Sequence, residues 1–171
     1  MLAFVSVIAL LVSILLTIFA RKSFAGNIYL IGFFGITSLW SIVIYAIFYS
    51  GSDTFAAIMH GHFQPYLYLP GPFLYLYARS VIRDNARLEW WDIIHFIPMI
   101  VMLIGIIPYY MVSLDDKIAL IRSMSSDFIM VRTNIHFLVP QAVVVLIRPL
   151  MVFVYSTMAL IILLRNRKNL I

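Results

Sequence analysis

The sequence contains no cysteine, and charged residues make up only 11% of its 171 positions. Without cysteine, disulfide bonds and metal sites built on thiolate ligands are excluded. The scarcity of charge excludes an ordinary soluble domain, in which about 25% of residues are charged and about half are apolar. Here 64% of residues are hydrophobic and the mean hydropathy is +1.03. A lipid bilayer is therefore the natural solvent for this chain.

The apolar stretches also lack acidic residues, because all seven Asp and Glu lie in loops or at the ends of predicted helices. An intramembrane protease would need paired acids, or a nucleophile with a base, within the bilayer. Proton-coupled carriers usually relay protons through buried acids. The chain has no G-x-S-x-G motif, no H-E-x-x-H motif and no Gly-rich phosphate loop. We therefore expect no enzymatic activity and no cofactor.

Long apolar stretches dominate what the chain does contain. A helix that crosses a hydrocarbon core of about 30 Å needs about 20 apolar residues. The pattern predicts an all-α, polytopic membrane helix bundle, a single domain with about five transmembrane helices and no soluble domain. The predicted helices cover approximately residues 2–20, 28–49, 55–78, 93–112 and 137–164.

Basic residues set the predicted orientation, because cytoplasmic loops carry an excess of Lys and Arg. With five spans and the N-terminus outside, eight basic residues face the cytoplasm and three face outward. The eight are Arg21, Lys22, Arg79, Arg83, Arg87, Arg165, Arg167 and Lys168, and the three are Lys117, Arg122 and Arg132. The bias weakens if residues 55–78 do not cross, so this doubtful, histidine- and proline-containing stretch is assigned as a span. The C-terminus is then cytoplasmic.

Residues 113–136 are too polar to span the bilayer and are predicted to form an amphipathic segment on the outer side. Ser113 and Asp116 make an S-x-x-D pattern, which can cap the start of a helix. Apolar residues then recur at spacings of three and four, which indicates one helical stripe. They are Leu114, Ile118, Ile121, Met124 and Phe128. Two arrangements stay open: a helix lying on the membrane surface, and a lid helix packed on the bundle.

Arg148 is the one charged residue inside a predicted span. A charge at the bilayer centre costs roughly 2.5–3.5 kcal/mol on insertion scales, and such residues usually mark function. Two interpretations stay open. The side chain either reaches the outer interface by snorkelling, or contacts an anion or a partner on another helix.

Histidines and tyrosines are the other side chains that could carry chemistry. His60, His62 and His136 are predicted on the outer side, where imidazoles could hold a metal ion or sense pH, although loop histidines are more often simply solvated. Four tyrosines flank the Pro-Gly-Pro at residues 70–72 and either line a ligand pocket or pack in the core and at the interface. They are Tyr66, Tyr68, Tyr75 and Tyr77.

Two stretches carry a family resemblance. GPFLYLYARSVI (71–82) resembles the G-P-x-L-Y-x-Y-x-x-S motif of membrane-bound AraC-type transcription regulators. WDIIHFIPMI (91–100) resembles the D-L-L-H-F-x-P stretch of the same family, and the likeness extends over roughly residues 27–168. The matching residues are Gly71, Pro72, Leu74, Tyr75, Tyr77 and Ser80 in the first stretch, and Asp92, His95, Phe96 and Pro98 in the second.

The resemblance implies a sensor region, usually of seven helices, in the inner membrane of a bacterium, followed by a cytoplasmic helix-turn-helix domain that binds DNA. This chain has about five predicted helices and nothing similar to a DNA-binding domain. We therefore expect a truncated signal-input region, which contacts DNA only through a domain missing from this chain. Its expected partners are the bilayer, a small ligand or another membrane helix, and a second copy in a homodimer.

The candidate signalling and structural residues are Pro70, Gly71, Pro72, Tyr75, Tyr77, His95, Pro98 and Arg148. The Pro-Gly-Pro at residues 70–72 is expected to break or bend the third helix. His95, about one turn inside the fourth helix, is expected near Arg79 or Arg83 and to hydrogen-bond across to the third helix, so that the hairpin relays a signal. Two other functions stay open: a stand-alone five-helix protein that acts through helix–helix contacts or as a small carrier, and the input region of a histidine kinase.

Overall fold

A computed structural model gives the fold of residues 2–20, 23–126, 138 and 141–166, and these residues form helices and the turns between them. The α-helices are α1 (Leu2–Leu15), α2 (Asn27–Tyr49), α3 (Asp53–Phe63), α4 (Pro70–Arg83), α5 (Ile97–Gly105), α6 (Ile107–Met111), α7 (Leu114–Ser126) and α8 (Gln141–Arg165). A π-helical turn continues α1 over Leu16–Ala20, and 3-10 turns cover Pro65–Tyr68 and Trp90–Phe96. The all-α prediction is confirmed.

Three helical segments of the described chain are long and apolar enough to cross a membrane: Asn27–Tyr49, Trp90–Met111 and Leu146–Arg165. Many large apolar side chains on them point away from the bundle, such as Phe153, which is 70% exposed. Soluble proteins rarely show such continuous apolar surface, whereas a helix in contact with lipid requires it. The three segments therefore indicate a multi-pass membrane protein.

The predicted third span, residues 55–78, is not one continuous helix. It contains most of α3, the 3-10 turn Pro65–Tyr68 and the first part of α4. Pro65 and Pro70 each stand at the start of a new helical segment. Proline is tolerated there because no intrahelical partner exists for an N–H group in the first turn. The third predicted helix is therefore broken and not bent: the break precedes Pro70, and Pro70 and Pro72 begin α4 instead of kinking a continuous helix.

The fourth predicted helix, residues 93–112, is also divided. It begins with the 3-10 turn Trp90–Phe96, continues as α5, and turns at Ile106 before α6. Pro98 lies in the first turn of α5, where it is readily accommodated. The last predicted helix, 137–164, corresponds to α8, and of residues 137–140 only residue 138 is described.

Helix α7 packs on the bundle. The S-x-x-D cap is present, because the Ser113 hydroxyl donates to Asp116 Oδ2 at 2.6 Å and accepts the Asp116 N–H at 3.2 Å. Leu120 and Ile121 are buried in one apolar cluster with Ala56, Tyr109 and other residues. Of the two arrangements left open, this contact favours the lid helix; residues 127–136 of the predicted segment lie outside the described part.

Hydroxyl groups join α1 to α2. Ser38 Oγ donates to the carbonyl of Ser6 at 2.9 Å, and Ser13 Oγ donates to the carbonyl of Ile31 at 3.1 Å. Interhelical bonds of this kind are common where two helices pack in lipid. Because the contacts run in opposite directions along the two helices, α1 and α2 are antiparallel.

Candidate functional site

The chain reverses sharply after α4. Asp84 adopts a left-handed conformation with φ of 46°, and the Asn85 N–H bonds back to the Ser80 carbonyl at 3.2 Å. This is a common way to end a helix, because it satisfies a carbonyl of the last turn. The reversal places the 3-10 turn Trp90–Phe96 beside α4, so that the second motif stretch lies against the first.

A buried ion pair joins these two stretches. Arg79 is 4% exposed and Asp92 is 3% exposed, and Arg79 Nη1 donates to Asp92 Oδ1. Arg79 Nη2 also donates to the Arg87 carbonyl at 3.1 Å, and the Glu89 N–H donates to Asp92 Oδ2 at 2.6 Å. These added hydrogen bonds offset part of the cost of removing two charges from water. Arg79 Nε is the donor of this pair that is buried without a partner among the described residues.

A second polar contact adds α8 to the assembly. His95 Nδ1 lies 2.9 Å from the Tyr155 hydroxyl, and the Tyr75 ring packs 5.0 Å from the His95 ring and 6.2 Å from the Tyr155 ring. Gly71 makes room for this arrangement, since an added Cβ there would approach Tyr155 Cδ2 to 2.9 Å. We refer to Gly71, Tyr75, Arg79, Asp92, His95 and Tyr155 as the motif joint.

The joint differs from the expected hairpin in one respect. The hydrogen bond of His95 goes to Tyr155 on α8, and not across to α4 as expected. Arg79, one of its two expected neighbours, bonds to Asp92 and to the Arg87 carbonyl. His95 contacts α4 through the Tyr75 ring instead.

Arg148 forms a second polar site, nearer the N-terminal end of α8 than Tyr155 of the motif joint. Its guanidinium lies between two rings, 5.5 Å from the centre of Trp40 and 5.4 Å from that of Tyr68. Such cation–π contacts stabilise a desolvated cation. Nε and Nη2 of Arg148 are buried and have no hydrogen-bond partner among the described residues. The side chain thus turns inward between helices, which departs from the snorkelling interpretation.

The histidines proposed as metal ligands do not converge in the described part of the chain. His60 is buried on α3, whereas His62 is exposed and its Nδ1 lies 2.8 Å from the Ile58 carbonyl. Two residues apart on a helix, they point to different sides. Among the described residues no group of three potential metal ligands occurs, and His136 lies outside them.

The remaining candidates have simpler surroundings. Tyr66 is exposed on the turn before α4, and Tyr77 is half-buried on α4. Tyr68 and Tyr75 pack against Arg148 and His95, respectively. The tyrosines around the Pro-Gly-Pro therefore do not share one pocket.

No protein-family model, no curated protein and no solved structure matches this chain. The resemblance to AraC-type regulators therefore stays a prediction. A functional proposal therefore rests on the geometry of the motif joint and of the Arg148 site.

Sequence reasoning missed two parts of these sites. It counted Arg79 among the cytoplasmic basic residues and did not pair it with Asp92, although an arginine and an aspartate on either side of a tight reversal was the available signal for a pair. Tyr155 had no signal of its own, because one tyrosine in a long apolar helix is equally consistent with lipid contact.

The hydrogen bond between His95 and Tyr155 is expected to make a small, measurable contribution to stability. Tyr155→Phe removes only the hydroxyl, and His95→Phe removes its partner. Each is expected to lower the free energy of unfolding by about 0.5–1.5 kcal/mol, with a coupling of about 0.6 kcal/mol in the double variant. Detergent-induced unfolding checks this value. Tyr49→Phe, on an exposed ring of α2, is the matched control, and purely additive losses would contradict the bond.

Proposed function

We propose that this chain is the membrane-embedded signal-input region of a regulator similar to the membrane-bound AraC-type transcription regulators, and that its output domain is absent from the chain. The main support is that the two stretches that resemble this family, residues 71–82 and 91–100, pack on each other. The contacts are Arg79 with Asp92, and Tyr75 with His95.

The motif joint suits an input role because it links three helices through directional contacts. Charge pairs and hydrogen bonds have defined geometries, unlike apolar packing, so α4, the 3-10 turn that leads into α5, and α8 are held in one arrangement. A displacement of α8 would act on His95 through Tyr155. The α4–α5 hairpin would then move or lose its hydrogen bond, which is how packed elements convert a small shift into a switch.

The proposal includes five membrane crossings, with the N-terminus outside and the C-terminus in the cytoplasm of a bacterial cell. Helix directions support it. Tyr68 contacts Arg148 and, further along both helices, Tyr75 contacts Tyr155, so α8 runs parallel to the α4 segment. Third and fifth spans of a five-span protein have to be parallel.

Single cysteines test this orientation cleanly, because the chain has none of its own. We expect Leu88→Cys, in the exposed loop after α4, to react with a membrane-impermeant maleimide only in inverted vesicles. Asp115→Cys, at the exposed start of α7, is expected to react only in spheroplasts. Labelling of both positions from the same side would contradict the five-span arrangement.

A reporter fusion tests the input role itself. The whole chain is joined after Ile171 to a DNA-binding reporter domain and expressed in bacteria. His95→Phe and Tyr155→Phe are expected to change transcriptional output at equal membrane abundance, because they uncouple α8 from the hairpin. His62→Phe, on an exposed ring of α3, is the control. Output that is indifferent to both joint variants would contradict the proposal.

A further inference from the structure

A cavity of about 400 Å³ lies between α2, α8 and the start of α4. Its walls include Phe33, Thr37, Trp40, Pro70, Pro149 and Val152. Among the described residues, Arg148 is the one charged side chain that lines it. Ligand sites commonly have volumes of about 300–1,000 Å³, apolar walls and a few well-placed polar groups. The cavity meets each of these conditions.

The guanidinium of Arg148 has unused hydrogen-bonding capacity beside this cavity. The Tyr68 side chain hydrogen-bonds to the guanidinium, and the Trp40 ring packs 5.5 Å from its centre. Nε and Nη2 nevertheless have no hydrogen-bond acceptor among the described residues. The N–H bonds of those two atoms point in parallel along one edge of an arginine, a fork that matches the two oxygens of a carboxylate or phosphate. Buried donors left without acceptors are costly, so an acceptor inside the bundle is favoured.

The charge of Arg148 is also uncompensated within the described residues. Their three ion pairs are Arg79 with Asp92, Arg83 with Glu89, and Arg122 with Asp53. A cation that stands alone at membrane depth is unfavourable. Because Arg148 supplies one positive charge, a ligand with one negative charge balances it. A second negative charge on the ligand would find no partner on the described cavity wall.

The cavity has a side that faces lipid. Trp40 on α2 and Val152 on α8 both keep exposed surface on the outside of the bundle. A ligand with its charged head at Arg148 can therefore extend an apolar chain between these two helices into the bilayer. Transfer from water gains about 0.8 kcal/mol for each methylene, which concentrates an amphiphile in the bilayer beside this opening, whereas a small hydrophilic anion stays in water.

We propose that this cavity binds an amphiphile that has an alkyl chain and a head group with one negative charge, such as a long-chain carboxylate. The head bonds to Nε and Nη2 of Arg148, and the chain lies along Pro149 and Val152. A phosphodiester lipid carries the same single charge and is the other source of this chemistry. This inference goes beyond the proposed input role. Ligand binding is measured without a transcriptional readout, so the binding proposal and the input proposal can fail independently.

The test uses the full chain in nanodiscs of zwitterionic phosphatidylcholine. Trp90→Phe and Trp91→Phe leave Trp40 as the remaining one of three tryptophans. Brominated dodecanoate, which quenches tryptophan on contact, is expected to quench Trp40 saturably. Arg148→Gln is expected to weaken this binding at least about tenfold, and Arg148→Lys less, because lysine keeps the charge and loses the fork. Arg165→Gln, at the exposed end of the same helix, leaves it unchanged.

Two further arms identify the ligand. Brominated dodecanol has the same chain without the charge and is expected to quench without saturation in every variant. If phosphatidylglycerol in the disc competes with dodecanoate only while Arg148 is present, the lipid is the source; if it does not compete, the free carboxylate is. Equal quenching by the acid in the wild-type, Gln and Lys proteins, or equal saturation by the alcohol, would show partitioning into the bilayer and overturn the proposal.

Discussion

Replacing Arg79 by leucine is expected to lower the free energy of unfolding by about 3–5 kcal/mol. The substitution leaves the Asp92 carboxylate buried at 3% exposure without its counterion. Asp92→Leu is expected to cost a similar amount, because it strands the guanidinium. Unfolding by sodium dodecyl sulfate in mixed micelles, followed by tryptophan fluorescence, measures both.

The double variant separates this effect from a general loss of packing. Arg79→Leu together with Asp92→Leu is expected to be more stable than either single variant, because no buried charge then lacks a partner. Arg83→Leu is the matched control: its pair with Glu89 is 53% and 50% exposed, so its loss is expected to cost at most about 1 kcal/mol. Additive losses in the double variant would contradict the buried pair.

Replacing Tyr109 by alanine is expected to lower the free energy of unfolding by about 3–5 kcal/mol, as is typical for a buried aromatic residue. Tyr109 is 1% exposed, and its hydroxyl donates to the Ala57 carbonyl at 2.7 Å. Its ring fills the space left by Gly61, where an added Cβ would overlap it. The substitution therefore opens a cavity between α3 and α6 and removes a buried side-chain hydrogen bond. The same unfolding measurement applies.

The neighbouring residue supplies the control. Tyr110 is 42% exposed and its ring packs on His62, which is itself exposed. Tyr110→Ala is expected to cost clearly less than Tyr109→Ala, since less surface is buried there. Equal costs at the two positions would show that α6 is not anchored through Tyr109.

Much of the architecture follows from the sequence because lipid imposes strong constraints on it. Uncharged runs of about 20 residues specify helices, and α2 begins and ends within one residue of its predicted bounds. The cap of α7 was also readable, since Ser113 and Asp116 are local in sequence. The prediction of one helix over residues 55–78 was less accurate, because the same proline can bend a helix or begin one. Only the surrounding packing decides between these outcomes.

The sites were less predictable, because their contacts are distant in sequence. His95 and Tyr155 are 60 residues apart, and no local pattern connects them. Arg148 was identified by its charge alone. Its aromatic neighbours, Trp40 and Tyr68, come from two other segments of the chain. Single charges in apolar helices can thus be found from the sequence, whereas their partners depend on helix packing.

The central claim is that the motif joint makes α8 and the α4–α5 hairpin one unit. Spin labels on Leu88→Cys, in the hairpin loop, and Arg165→Cys, at the end of α8, test it most directly, because both positions are exposed and the chain has no other cysteine. In nanodiscs, double electron–electron resonance is expected to give one narrow distance distribution, which broadens when His95→Phe and Tyr155→Phe are combined. An unchanged width of the distance distribution in the doubly substituted protein would contradict this claim. A broad distribution in the labelled protein with His95 and Tyr155 intact would also contradict it.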